Sequence, residues 1–118
     1  TGKNSPATRP ILARATLEEM WRPVVAMNAS ADRPESMGLS FFLAPRPGSS
    51  GLVYFIGHTG SQAGFRAFVE FNPLNGTAII AAFNTSHEYG HNEAENKAAQ
   101  KSRDGFNALR EQSFNLLH

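Results

Sequence analysis

Tyr54-Phe55-Ile56-Gly57-His58-Thr59-Gly60-Ser61-Gln62-Ala63-Gly64-Phe65-Arg66-Ala67-Phe68-Val69-Glu70-Phe71 is the stretch on which the fold turns. Its first half reads as a strand, Leu52 to His58, that ends in a polar His-Thr-Gly-Ser run. Its second half, Gly64 to Phe71, alternates. Phe65, Ala67, Val69 and Phe71 fall on one face and Arg66, Phe68 and Glu70 on the other. The second face is mixed, which predicts a sheet covered, at least in part, on both sides. Short polar connections between consecutive strands favour antiparallel pairing, since parallel pairing needs a longer crossover.

Working outward, Gly48-Ser49-Ser50-Gly51 precedes the first of these strands as a turn. A further apolar run, Met37 to Ala44, predicts a strand that Pro45 and Pro47 close. On the other side, Asn72-Pro73-Leu74-Asn75-Gly76 is a turn signal, because Asn-Gly accepts positive φ at low cost. Thr77 to Asn84 then gives a fourth strand. Residues 1–15 are polar, with Pro6 and Pro10, and read as a lead-in. Thr16-Leu17-Glu18-Glu19 has the form of a capping box, which predicts a short helix from Leu17 that ends by Pro23, with Leu17, Met20 and Trp21 as its inner face. At the other end, Phe106, Leu109, Ser113, Leu116 and Leu117 recur at helical spacing. They predict an amphipathic helix from Asp104 to Leu117, with Gly105 weakening its junction to the polar residues before it. The expected architecture is α+β: an antiparallel sheet of about four strands flanked by an N-terminal and a C-terminal helix.

The 118 residues allow one domain, and the net charge of +1 gives no electrostatic argument for nucleic acid or acidic lipid. Basic residues are scattered, without a stripe or interleaved aromatics to stack bases. No cysteine is present, which excludes disulfides, thiolate metal sites and a Cys nucleophile. No apolar run approaches the roughly 18–20 residues that a membrane-spanning helix needs.

Acyl transfer needs a nucleophile, a proton carrier and donors for the oxyanion. The His58-Thr59-Gly60-Ser61 run offers the last two. His58 is a proton carrier near neutral pH or a hydrogen-bond partner for a substrate carboxylate. Gly60 lets a substrate approach the backbone, Thr59 offers a hydroxyl, and the Ser61 N–H faces the acyl carbonyl.

The ordered set Met37-Gly38-Leu39-Ser40-Phe41-Phe42-Leu43, Gly57-His58-Thr59-Gly60, Gly64-Phe65, Phe71-Asn72-Pro73 and Ala78-Ile79-Ile80-Ala81-Ala82-Phe83-Asn84 resembles the C-terminal portion of the serine β-lactamase and penicillin-binding-protein superfamily. The closer likeness is to its His-Thr-Gly branch. Ile11 to Met20 is similar to the helix before the closing strands. The resemblance implies hydrolysis through an acyl-serine intermediate on an ester, an amide or a D-alanyl peptide, without a cofactor. His58 then takes the place of the third-motif basic residue, Ser61 gives the second oxyanion-hole amide, and Thr59 and Gly60 face the substrate. The family's other two motifs, Ser-x-x-Lys and Tyr-x-Asn, do not occur between Thr1 and His118. The expectation is therefore a single incomplete domain over residues 1–118, inactive alone, whose partner is the N-terminal portion of the same hydrolase. A periplasmic or secreted location follows from the resemblance only.

Two other readings stand beside this one. The first is a non-catalytic binding module that uses an open sheet edge for strand addition or self-association. The second is a zinc peptidase through His87-Glu88-Tyr89-Gly90-His91, which matches His-Glu-x-x-His. That motif needs a helix, and Gly90 together with polar flanks argues against one.

Overall fold

The computed structural model describes residues 11–28, 30–32, 34–62, 64–84 and 86–117. Six antiparallel strands form one sheet in chain order: β1 (Val25–Ala26), β2 (Ser36–Met37), β3 (Phe42–Gly48), β4 (Gly51–Gln62), β5 (Phe65–Phe71) and β6 (Ala78–Phe83). Helix α1 (Arg14–Met20) precedes the sheet. Helix α2 (Glu93–Ser113) follows it and closes with a 3-10 turn, Phe114–Leu116. The α+β class and antiparallel pairing are as expected. Among the described residues the strand number is six rather than about four, because Val25–Ala26 adds a strand paired with β2 and the run Met37–Ala44 is split. Gly38 N–H donates to the Phe41 carbonyl (2.8 Å) and Ser40 takes φ 62°, so β2 turns before β3 begins.

Ladder geometry explains why Pro45 and Pro47 lie inside β3 instead of ending it. Gly48 pairs with Gly51 across a two-residue loop, Ser49-Ser50, and the β3–β4 register runs unbroken to Phe42↔Gly57. Bonded pairs alternate along an antiparallel ladder, so Phe42, Ala44, Arg46 and Gly48 aim their amides at β4. Pro45 and Pro47 sit between them, with their nitrogens toward the β2 side. There β2 pairs only with Phe42 and Leu43, so neither proline deletes a ladder bond.

The helices differ from the sequence expectation at their starts. Arg14 opens α1, with Thr16 N–H and Leu17 N–H donating to Ala13 O. Thr16 therefore lies inside the helix and makes no cap, and an exposed Arg14–Glu18 pair (2.7 Å) spans the first turn. Residues 1–10 of the expected lead-in lie outside the described residues. Helix α2 is continuous from Glu93 through Gly105, with Asn92 Oδ1 accepting from Glu95 N–H as its cap. The polar half is helical because its sheet-facing positions are small. Ala99 is fully buried, and Ala98 and Ser102 are half-buried.

The β5 face carrying Arg66, Phe68 and Glu70 packs under α2. Phe68 and Phe83 both meet Phe106 edge-on, at 5.6 and 6.0 Å between ring centres. Farther along, Ala44, Phe55, Phe114 and Leu117 make the core, with Val53 and Ile79 against it. The chain end is fastened at Leu117, whose carbonyl accepts from Asn72 Nδ2 (2.8 Å), Asn75 Nδ2 (3.1 Å) and Thr77 Oγ1 (3.1 Å). The expected turn at 72–76 thus also anchors the C-terminus.

The opposite face is covered only around the row Leu43–Ile56–Phe71. Leu43 and Ile56 are buried there, and Trp21, directly after α1, stands edge-on to Phe71 at 5.3 Å. On the same face, Tyr54 to one side of that row and Phe65 and Ile80 to the other are exposed, Ile80 by 76%.

Candidate functional site

His58-Thr59-Gly60-Ser61 lies within β4 and is not a loop at its end, which corrects the sequence reading of a strand finishing at His58. Strand β4 runs on to Gln62 because β5 supplies partners for every residue from Ile56 to Gln62. On the β3 side the last pair is Phe42↔Gly57. Residues 58–62 therefore have a neighbour on one side and an open edge on the other.

The ladder also determines which amides face that edge. Asn72 N–H donates to Thr77 O (2.9 Å), so in β5 the even-numbered residues bond toward β6. The odd-numbered ones, Phe65, Ala67, Val69 and Phe71, bond toward β4, where their partners are Gln62, Gly60, His58 and Ile56. Thr59 and Ser61 are left with main-chain N–H and C=O groups directed away from β5, into the open edge. They lie about 6.6–6.8 Å apart along the strand, too far for one oxyanion to use both. A second donor for that oxyanion has to come from another element.

Side chains divide by face. His58 is exposed on the open face, stacked on Phe42 at 4.9 Å and 18° between ring planes. Thr59 and Ser61 point to the α2 side, where they line a shallow depression of about 310 Å³ with Gly60, Arg66, Arg103, Phe106 and Asn107. Imidazole and hydroxyls are therefore on opposite faces, joined by the strand edge between them. The two arginines were not singled out from the sequence. Arg66 was legible in principle, since it is the cross-strand partner of Ser61. Arg103 comes from α2, a contact that no local pattern announces.

The two glycines of the run have different reasons. A Cβ at Gly57 would run into the Val69 carbonyl oxygen and the Glu70 carboxylate. A Cβ at Gly60 would meet nothing within 4 Å. Gly57→Ala is expected to cost about 1–3 kcal/mol through overpacking. Gly60→Ala is expected to stay within about 0.5 kcal/mol of wild type, as an exposed change. Urea denaturation of both variants checks the contrast. Equal losses would mean that both the Val69 carbonyl and the Glu70 carboxylate give way freely.

Glu70 is fully buried beneath α2 and accepts from Arg110 Nε, while Arg110 also reaches Glu35 (3.4 Å). Arg46 donates to Glu111 (2.6 Å) and to Glu35 (3.3 Å), which completes the cluster. Burial pushes the Glu70 carboxyl above its ordinary value of 4.5, and the Arg110 guanidinium opposes this only in part. The folded chain thus keeps this proton to a higher pH than the unfolded chain. The linked stability is complete below the unfolded carboxylate value and is lost as pH rises through the folded one. The unfolding free energy of wild type minus that of Glu70→Gln is expected to fall as pH is raised above 4.5. A difference that climbs with pH would show that the arginines outweigh burial.

The His87-Glu88-Tyr89-Gly90-His91 segment is not helical. Gly90 N–H donates to Asn96 Oδ1 (3.0 Å) and His91 N–H to Glu95 Oε2 (2.9 Å), which folds the segment back onto the start of α2. The i, i+4 face required for a shared metal does not form. Among the described residues no group of three His, Asp or Glu side chains is placed to hold a metal ion, and no helix is long and apolar enough to cross a membrane. No family model, curated protein or solved structure matches the chain.

Proposed function

We propose that the chain supplies the sheet-borne part of an acyl-transfer site in a β-lactamase-like serine hydrolase, with its nucleophile and general base in sequence outside these 118 residues. The observation that supports this is the open edge of β4. There the Ser61 N–H is directed outward beside an exposed imidazole at His58 and an unobstructed Gly60. One strand donor and one donor from the nucleophile's own backbone would make up an oxyanion hole. His58 would carry a proton or hold a substrate carboxylate, and Thr59 and Gly60 would line the substrate path. The substrate class is an ester, an amide or a D-alanyl peptide, and the chemistry needs no cofactor. The exposed Tyr54, Phe65 and Ile80 on the His58 face are where the remainder of the hydrolase would pack.

Complementation tests the proposal. The chain is mixed with a polypeptide encoded upstream that carries a Ser-x-x-Lys sequence, and turnover of p-nitrophenyl acetate and nitrocefin is followed. Hydrolysis by the mixture but by neither part, and its loss in His58→Ala, is the expected result.

One observation favours a second reading. Strand β6, Ala78-Ile79-Ile80-Ala81-Ala82-Phe83, ends the sheet and carries neither charge nor proline. Such an edge pairs readily with another strand. Concentration-dependent dimers in sedimentation velocity, abolished by Ile80→Lys, would favour a binding module over an enzyme part.

A further inference from the structure

A cleft of about 470 Å³ lies between the paired ends of β5 and β6 and the middle of α2, on the opposite side of the sheet from the exposed His58 face. Its size is within the range that takes small organic ligands. Phe83, Ala98, Phe106 and Leu109 give it an apolar wall. The Phe106 ring is held edge-on by Phe68 and Phe83, so the wall is fixed before any ligand arrives.

The charged side chains lining the cleft, Arg66 and Lys101, are both cationic, and Ser102 and His87 are its other polar side chains. Among the described residues no carboxylate lines it. Arg66 donates through Nε to Ser86 Oγ (3.3 Å) and lies over the Phe106 ring at 5.7 Å, so its position is fixed by neutral groups. Among the described residues, none of the ion pairs includes Arg66, Lys101 or His87. Asp104, three residues beyond Lys101, accepts instead from Gln100 Nε2 (2.7 Å). Arg14, Arg22, Arg46 and Arg110 each make an ion pair, whereas Arg103 lies over the Tyr89 ring. A guanidinium and an ammonium without an ion-pair partner among the described residues, beside three large apolar side chains, are the complement of a carboxylate on an apolar body.

We propose that this cleft binds a small amphipathic carboxylate, aromatic or short-chain aliphatic. Its apolar body lies against Phe83, Phe106 and Leu109, and its carboxylate is held by Arg66 and Lys101. The cleft shares Arg66 and Phe106 with the Thr59–Ser61 depression but includes no residue of the His58 run, so the proposal does not depend on the hydrolase reading.

Calorimetric titration with 4-phenylbutyrate and with its neutral amide tests it, with backbone amide NMR shifts recorded in parallel. The expected result is saturable one-to-one binding of the carboxylate, weakened at least about tenfold in the amide and in Arg66→Gln. Shift changes are expected around Arg66, Phe83 and residues 98–109. Lys101→Gln, an exposed change that leaves the core untouched, is expected to weaken binding in the same direction. Binding of amide and acid with equal affinity, affinity unaltered in Lys101→Gln, or no saturation at millimolar ligand would each overturn the proposal.

Discussion

Replacing Arg110 by methionine is expected to lower the unfolding free energy by about 3–5 kcal/mol, the cost of leaving a buried charge without its partner. Glu70 is wholly enclosed, and Arg110 is the cation that holds it. Without the guanidinium, the carboxylate has Gly57 and the Val69 carbonyl on one side, and the attraction of Arg46 is outweighed by repulsion from Glu35. The loss is expected to shrink as pH is lowered, since Glu70 then enters the folded state protonated. Converting both members together, Glu70→Leu with Arg110→Met, is expected to recover most of the loss, because an apolar pair of similar volume avoids desolvating two ions. Urea denaturation across the double-mutant cycle measures all of this. A single variant as stable as wild type would show that Glu70 is neutral in the native protein and needs no counter-ion.

Phe114→Ala is the other large loss, at about 3–5 kcal/mol. The ring is enclosed where α2 ends, tilted against Phe55 at 5.1 Å. Two guanidiniums face it, Arg46 at 4.4 Å and Arg110 at 5.5 Å from its centre. Truncation opens a cavity and removes both cation–π contacts, which add about 0.5–2 kcal/mol between them. A domain of this size holds about 5–15 kcal/mol in all, so the variant stands near the limit of folding. Thermal denaturation by circular dichroism reads the change. A loss under 1 kcal/mol would mean that the 3-10 turn repacks around the smaller side chain.

The hairpins were legible because their turns are local chemistry. Gly48-Ser49-Ser50-Gly51 and Asn72 to Gly76 each carry the residues that such turns need, and both appear where expected. The two faces of β5 were legible from alternation, and the mixed face proved to be the one that α2 covers. Of its charged members, Glu70 is matched from the helix by Arg110, which a strand read alone does not disclose. The N-terminal half of α2 was obscure because Ala98, Ala99 and Ser102 bury without looking apolar. The prolines of β3 misled for a similar reason: their missing donors matter only if a neighbour strand is present, and β2 has already ended.

At the candidate site, the residue types at 58–61 were visible, but their division between two faces was not. Reading His58 as a strand end joined all four side chains in one place. The continued pairing with β5 separates the imidazole from the two hydroxyls and leaves the main chain as what they share. The Ser61 amide, rather than its hydroxyl, is the group that the ladder directs outward.

Fluorophosphonate labelling of the full product of the reading frame that contains these residues, followed by peptide mass spectrometry, tests the hydrolase reading most directly. The account predicts one modified serine, in a Ser-x-x-Lys sequence encoded before Thr1, with labelling slowed at least about tenfold in His58→Ala. No modified serine, or one whose rate is the same in His58→Ala, would contradict it.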